Sequence, residues 1–105
     1  MSGGKQPYVK GYNFERRVRQ YLRDNGWFVL RLGMSKFPDL IAMRVKKLGP
    51  ETVTIIWFVE CKWNRRLTKK EINNFKEIKK QLPIVICKIA YHDHKTREVK
   101  FADCE

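Results

Sequence analysis

The sequence predicts an α/β protein in which two helices pack on a mixed sheet, and three observations support this fold class. Apolar residues recur at helical spacing in two segments, one near the start of the chain and one in its second half. Short runs of β-branched and aromatic residues, bounded by Gly, Pro and Asn, lie between and after these segments. The predicted order of elements is α-β-β-β-α-β-β, which is typical of a mixed sheet with helices on it.

The first helix is expected from Tyr12 to Asp24. Its apolar stripe consists of Phe14, Val18, Tyr21 and Leu22. Asn25-Gly26 is a typical helix stop, because glycine readily adopts the left-handed conformation that follows a helix. The stretch Met1–Val9 contains two glycines and a proline, and it is expected to be a mobile lead-in.

Three strands should follow this helix. They are expected at Trp27–Leu32, Asp39–Val45 and Thr52–Lys62, with a loop at 33–37 and a turn at 46–50. The third strand is nearly continuously apolar, which indicates a central strand that is covered on both faces.

The second helix has a well-marked start. Thr68 and Glu71 have the spacing of a capping box, in which each side chain binds the backbone N–H of the other residue. The helix would continue to about Gln81, before Pro83. Its apolar stripe, which could face the protein's own core or a second subunit, consists of Ile72, Phe75, Ile78 and Leu82. Two more strands are expected at Ile84–Tyr91 and Arg97–Phe101.

The charge of the chain restricts its partners. The 105 residues suit a single domain with a small core. Lys and Arg number 23 against 11 Asp and Glu, which gives a formal net charge of +12. Such an excess is typical of proteins that bind an anionic partner, with nucleic acid the first candidate and an anionic membrane surface the second. Because the basic residues are spread along the chain, a folded basic face is expected.

The cysteines and the hydropathy pattern indicate an intracellular protein. Cys61, Cys87 and Cys104 are odd in number and lack CxxC spacing, so reduced thiols are expected, with neither a disulfide framework nor a zinc site. The N-terminal residues do not have the pattern of a signal peptide. No apolar run approaches the roughly 20 residues that cross a bilayer. We therefore expect a cytoplasmic, nucleoid-associated protein with no membrane partner.

Acidic and basic residues stand at the ends of strands 2 and 3. Asp39 follows a proline at the start of strand 2, whereas Glu60 and Lys62 close strand 3. Because side chains alternate along a strand, Glu60 and Lys62 share one face, and Cys61 points into the core. If the two strands are neighbours, Asp39 lies beside Glu60. Hard cations such as Mg²⁺ prefer carboxylate oxygens, and a nearby lysine can steady a water molecule or a developing phosphate charge.

Each of these residues also has a simpler interpretation. An acidic residue after a proline is commonly just solvated, and Lys62 alone would be a surface lysine. Glu60 is harder to dismiss, because it follows seven mostly large apolar residues and a buried carboxylate needs a partner or a cation. The combination, in a strongly basic chain, favours a metal-dependent site.

Further candidates lie before this site in the chain. Glu15 either favours the positive end of the helix 1 dipole or supplies a third carboxylate to the metal. Arg31 ends strand 1 and would contact a phosphate, as would Lys36 in the following loop. Arg16 is by default a surface residue, and Ser35 is by default a loop hydroxyl.

A second basic group follows strand 3. Arg65-Arg66 and Lys69-Lys70 either form the solvated entrance of helix 2 or follow the phosphate backbone of a nucleic acid, and the charge of the chain favours the second interpretation. His92 and His94 have a spacing that can bind metal, but the remaining ligands are missing, so metal binding there is disfavoured.

The motif Pro38-Asp39, followed further along by Glu60-x-Lys62, is shared by a large superfamily of nucleases. The chain as a whole resembles the archaeal Holliday junction resolvases, which have relatives in archaeal viruses and phages. The matching segments are Lys10-Gly11, Phe14–Arg16, Gly26–Arg31, Ser35-Lys36, Pro38–Ala42 and Val59–Lys62. By contrast, Leu67–Glu71 resembles the corresponding part of the virus-type replication-repair nucleases.

The resemblance implies a restriction-endonuclease-like α-β-β-β-α-β core. It also implies a homodimer that binds four-way DNA junctions by shape and nicks two opposed strands with Mg²⁺, for which Mn²⁺ would substitute. The corresponding metal ligands are Glu15, Asp39, Glu60 and the Cys61 carbonyl, and the corresponding catalytic lysine is Lys62. The resemblance makes Arg16 and Arg31 DNA-contacting or catalytic arginines and Ser35 a hydroxyl near the scissile phosphate. Further DNA contacts are expected, from the charge of the chain, at Lys10, Lys36, Arg65, Arg66 and Lys69.

Three other functions remain open. The first is a nuclease that cuts flaps, other branched intermediates or linear DNA, and a panel of DNA shapes would separate it from a resolvase. The second is a non-catalytic DNA-binding protein that has kept the fold, against which Asp39, Glu60 and Lys62 argue. The third is a basic structural protein that coats nucleic acid. Strong binding without cleavage under any divalent ion would favour the last two.

Overall fold

The computed structural model describes residues 7–32 and 37–104, within which two helices and five strands occur. They are α1 (Pro7–Asp24), β1 (Phe28–Arg31), β2 (Leu40–Leu48), β3 (Glu51–Cys61), α2 (Lys69–Gln81), β4 (Ile86–His92) and β5 (Val99–Asp103). This is the predicted order, and the α/β class with a mixed sheet is confirmed, consistent with a restriction-endonuclease-like fold. Within the described ranges, no helix is long and apolar enough to span a membrane.

The described strands form a mixed sheet in the order β1-β2-β3-β4-β5. Neighbouring strands are antiparallel except β3 and β4, which are parallel and are joined through α2. The predicted third strand is therefore central. Burial differs between the two ends of this strand. Val59 and Glu60 are buried, whereas Glu51 and Thr52 at the other end are exposed. The prediction of two covered faces is wrong for the first part of this strand, which belongs to an exposed hairpin.

The element boundaries differ from the predicted ones in two instructive places. α1 begins at Pro7, so residues 7–9 belong to the helix, and the rest of the predicted lead-in lies outside the described residues. Proline is tolerated in a first helical turn, where its missing N–H has no intrahelical acceptor to bind. The predicted turn at 46–50 is shorter, because β2 and β3 continue to the pair Leu48–Glu51. Gly49 closes the hairpin at φ +62°, a left-handed conformation that costs glycine little.

α1 packs its apolar stripe on one face of the sheet and forms the core there. Phe14, Val18 and Leu22 are at most 3% exposed. They cluster with the buried side chains of Val29, Leu40, Ala42, Val59, Ala90 and Val99. Full burial of such a side chain contributes about 1.5–3 kcal/mol. Tyr21, the fourth predicted member, is half-exposed against the ring of Phe101, because it lies at the margin of the stripe.

α2 covers the opposite face less completely. The predicted capping box forms, since Oγ1 of Thr68 accepts the N–H of Glu71 at 3.2 Å and Oε1 of Glu71 accepts the N–H of Thr68 at 2.9 Å. Of the predicted apolar stripe only Phe75 is buried, against the ring of Phe37, and Leu82 is half-exposed. The first turn of α2 is thereby placed next to the end of β3.

Candidate active site

Asp39 and Glu60 lie side by side where β2 begins and β3 ends, and we call them the acidic pair. The register pairs Leu40 with Val59, so the next residues outward face each other on the α2 side of the sheet. The N–H of Asp39 donates to Oε1 of Glu60 at 3.1 Å. The N–H of Cys61 donates to Oδ2 of Asp39 at 2.8 Å. The sheet therefore brings these two residues together, as the sequence predicted.

Glu60 is deeply buried, at 5% exposed. Burial raises the pKa of its carboxyl to about 10, and hydrogen bonds to Glu71 and Asp39 together with their negative charges act in the same direction. Without a cation beside it, Glu60 is therefore protonated at neutral pH. Two acids this close together can both carry a negative charge only when a positive charge lies beside them. Such a pair has the electrostatic character of a cation site.

Lys62 continues on the same face as Glu60 and forms an ion pair with Glu71. The N–H of Lys62 donates to the carbonyl of Ala90 at 2.8 Å, which fixes the chain just beyond β3. Its Nζ lies 2.6 Å from Oε2 of Glu71. Burial raises the pKa of Glu71, but hydrogen bonds with Glu60 and Lys62 outweigh burial and lower that pKa to about 2. Glu71 therefore stays charged beside the protonated Glu60.

Glu71 is the member of this site that sequence reasoning missed. The capping box explained its presence fully, and one of its two oxygens does serve the cap. The sequence signal that could have found Glu71 was its position in the chain. The helix that follows β3 in a β-α-β crossover must start near the end of that strand. An acidic residue in its first turn therefore lies near Glu60 and Lys62.

Cys61 points to the opposite face, as predicted. Its side chain packs against the α1 core. Burial raises the pKa of its thiol well above the usual range, and the charges of Asp39, Glu15 and Glu60 act in the same direction. The thiol is therefore unreactive, and Cys61 contributes to the site through its backbone. Because the charge of Glu15 contributes to this raised pKa, the Glu15 carboxylate lies within electrostatic range of the end of β3.

Glu15 is bound by arginines. Its Oε1 accepts from Nε of Arg31 at 2.6 Å and lies 3.7 Å from Nε of Arg19, one turn further along α1. This ion-pair group connects α1 to the end of β1. Glu15, the predicted third carboxylate, therefore forms an ion pair with Arg31, the arginine predicted to contact a phosphate.

The other predicted DNA contacts are mostly exposed cations. Arg16, Arg65, Arg66 and Lys69 are exposed. A surface cavity of about 480 Å³ is lined by Lys62, Asn64 and Arg66, so two cations border it. Three further predictions are not described by the structure. Lys10 lies in α1 with its side chain outside the described part, and Ser35 and Lys36 fall in the range 33–36.

His92 and His94 belong to an aromatic group. The ring of Trp63 stacks on His92 with centroids 4.0 Å apart and planes at 5°, and His94 meets both rings edge-on. The NH1 group of Arg17 lies 3.3 Å from Nδ1 of His92. These contacts pack the segment that follows Lys62 against β4.

The acidic pair suits a hard divalent cation, although residues 7–32 and 37–104 contain no group of three or more His, Cys, Asp or Glu that could hold a metal ion. Mg²⁺ keeps several water ligands and is commonly bound through one or two carboxylates. Asp39 and Glu60 supply two, and the backbone of Cys61 lies against Asp39. The oxygen donors and the raised pKa of Glu60 therefore fit such an ion.

Comparison with known protein families identifies a match for this chain. A family model described as archaeal Holliday junction resolvase matches residues 6–77. The match covers more than half of the chain and includes α1, β1 to β3 and most of α2, and with them the acidic pair, Lys62 and Glu71. A search of curated proteins gives no match.

Proposed function

We propose that this chain, which belongs to the archaeal Holliday junction resolvase family, is a divalent-metal-dependent endonuclease that resolves four-way DNA junctions by paired nicks. The observation that carries the proposal is the register of β2 against β3. It brings Asp39 and Glu60 into contact, with Lys62 following on the same face. Two carboxylates that can hold a cation, with a lysine close by, can support phosphodiester hydrolysis.

The cation, Mg²⁺ with Mn²⁺ as a substitute, would be held by Asp39, Glu60 and the Cys61 carbonyl, and it would supply Lewis-acid stabilisation of the phosphate and a more acidic water. Glu60 would give up its proton when the cation binds. The hydrogen bond from the N–H of Cys61 fixes the orientation of the Asp39 carboxylate. Because Glu60 is only 5% exposed, bulk water has little access to its carboxyl group.

Lys62 would orient the attacking water or neutralise charge on the phosphate during in-line hydrolysis, with no covalent enzyme intermediate. Its Nζ reaches the α2 side of the site through the ion pair with Glu71. Glu15 and Arg31 would act next to this position. Arg31 would contact the phosphate backbone, and Glu15 would orient it or contribute a third carboxylate.

DNA would be recognised through its backbone. The formal charge of +12 and the exposed Arg16, Arg65, Arg66 and Lys69 support a face that follows phosphates. Lys10, Ser35 and Lys36 would extend it. Selection of a four-way junction would then depend on the angles between its arms, since phosphate contacts carry no sequence information. A protein with this substrate would work at the nucleoid.

Two opposed nicks require two active sites, so we propose a homodimer with two-fold symmetry. Light scattering of the protein on a four-way junction should give the mass of two chains per DNA. A single chain bound to the junction would contradict the dimer while leaving the cleavage chemistry open.

A panel of DNA shapes tests the substrate. A four-way junction, a flap and a linear duplex would be incubated with the protein and Mg²⁺, with EDTA as the metal-free control. Symmetric paired nicks in the junction alone support the proposal. Cleavage of flaps would instead favour the replication-repair nucleases, which Leu67–Glu71 resembles. Tight binding without cleavage would reject the nuclease function.

A further inference from the structure

The ion pair between Lys62 and Glu71 joins the end of the central strand to the start of α2. Lysine has a flexible four-carbon stem, so the position of its ammonium group depends on what binds it. Here the distance from Nζ to Oε2 is 2.6 Å, and the two side chains are 28% and 17% exposed. Both ends of the contact are therefore largely shielded from water, which strengthens a charge-assisted hydrogen bond.

Glu71 is itself held firmly. Its second oxygen, Oε1, accepts the N–H of Thr68 at 2.9 Å, and its own N–H donates to Oγ1 of Thr68 at 3.2 Å. The carboxylate is thus fixed by the first turn of the helix, by its hydrogen bond with Glu60, and by the contact of its other oxygen, Oε2, with Nζ of Lys62. The backbone of Lys62 is fixed at the other end by its bond to Ala90. Two rigid elements therefore determine where the ammonium group lies.

We propose that Glu71 is the positioning residue for Lys62, so that the capping box of α2 is part of the cleavage machinery. This inference rests on the proposed nuclease function. Glu71 acts by holding the ammonium group of Lys62, a residue that follows the acidic pair and lines a cavity together with Asn64 and Arg66. Substrate phosphate entering this cavity meets a lysine that is already in place.

The test is Glu71→Gln, with Glu77→Gln as a matched control. Glutamine at position 71 retains the capping box, since either Glu or Gln serves there, but it removes the charge that holds Lys62. Glu77 is an exposed acid on the same helix that binds Gln81, away from the site. A misplaced catalytic group costs about 100-fold in rate. Single-turnover cleavage of a junction with Mg²⁺ should fall by about that factor for Glu71→Gln and should not change for Glu77→Gln.

The mode of action is tested by Lys62→Gln and by the double variant. If Glu71 acts through Lys62, adding Glu71→Gln to Lys62→Gln should not slow cleavage further, and DNA affinity should be unchanged by Glu71→Gln. Independent, multiplicative losses would overturn the proposal. So would loss of Mg²⁺ binding by Glu71→Gln in calorimetry, because Glu71 would then be a metal ligand.

Nitrogen NMR of the lysine side chains separates this inference from the nuclease proposal. The Lys62 ammonium signal should be ordered in the wild-type protein and averaged by motion in Glu71→Gln, whether or not DNA is cut. If the wild-type protein cuts no DNA, the nuclease function is wrong, and a Lys62 signal that is equally ordered in Glu71→Gln would separately overturn the positioning of Lys62 by Glu71. A wild-type protein that cuts, with equal cleavage by Glu71→Gln, overturns the positioning role alone.

Discussion

The two faces of the sheet differ in what they contribute. On the α1 face, Phe14, Val18 and Leu22 seal an apolar core. On the α2 face, the helix buries only Phe75 among the residues of its predicted stripe, and the strand ends carry Asp39 and Glu60. The first face stabilises the fold, whereas the second buries an acid, Glu60, whose charged form needs a cation beside it. The packed core and the acidic pair thus lie on opposite sides of the same strands, although Glu15 of α1, a proposed site residue, comes from the helix of the core face.

The largest expected effect is on the α2 face. Asp39→Asn keeps an oxygen for the N–H of Cys61 but removes a negative charge from the proposed cation site. Loss of several kcal/mol of charge stabilisation corresponds to about a 1000-fold lower cleavage rate. The unfolding temperature should change little. Single-turnover nicking and calorimetric unfolding of the same sample would check both statements. If Asp39→Asn also lowered the stability strongly, the two faces of the sheet would not differ in the way described.

The second effect is on the α1 face and has the opposite character. Leu22→Ala opens a cavity in the sealed core and should lower the free energy of unfolding by about 2–5 kcal/mol. The control is Leu82→Ala beyond the end of α2, where the side chain is 47% exposed and the loss should stay below about 1 kcal/mol. Denaturant titrations measure both. Cleavage per folded Leu22→Ala molecule should equal that of the wild type.

The third effect concerns Glu60, and it separates a contribution to the stability of the fold from a contribution to cation binding. Because the pKa of this buried acid is about 10, Glu60→Gln replaces a protonated carboxyl by a neutral group of similar shape. Stability without metal should be equal or higher. Magnesium at 100 times its dissociation constant should stabilise the wild type by about 2.7 kcal/mol and leave Glu60→Gln unaffected. Equal stabilisation of both proteins would remove Glu60 from the cation site.

The smallest effect is expected at the turn between β4 and β5. There the pKa of Asp93 is lowered, whereas the pKa of Glu60 is raised. A hydrogen bond from Lys100 and one from the N–H of Lys95 hold the pKa of Asp93 well below its usual value of 3.8. A depressed pKa contributes stability above about pH 4 that is lost as the pH falls further. Thermal unfolding should find Asp93→Asn less stable than wild type at neutral pH, with the difference shrinking below about pH 4. A constant difference would contradict this assignment.

Local signals predicted most of the fold. The spacing of Phe14, Val18 and Leu22 predicted the buried side of α1, and Thr68 with Glu71 predicted the start of α2. Boundaries that depend on tertiary structure were missed. The hairpin extends to Leu48 because β2 and β3 stabilise each other across the pair, which neither strand reveals alone.

The candidate site was predictable where strand periodicity determines position. Asp39 and Glu60 meet because one register pairs two apolar runs, and period-two alternation then fixes their common face. The ion pair between Lys62 and Glu71 joins residues from different elements, and its geometry depends on how α2 packs. The crossover from β3 indicates that the first turn of α2 lies near Lys62, but the contact between the two side chains depends on how the helix packs and is visible only in the structure.

The most direct test of the central claim is nicking of a synthetic four-way junction by the wild-type protein and by Glu60→Ala, each with Mg²⁺ and with EDTA. Asp103→Asn, which alters an exposed ion pair with Lys88 away from the acidic pair, serves as the control. Paired nicks by the wild type and the control, abolished by EDTA and by Glu60→Ala, are the predicted result. Full activity of Glu60→Ala, or undiminished cleavage in EDTA, would contradict a metal-dependent site at the acidic pair.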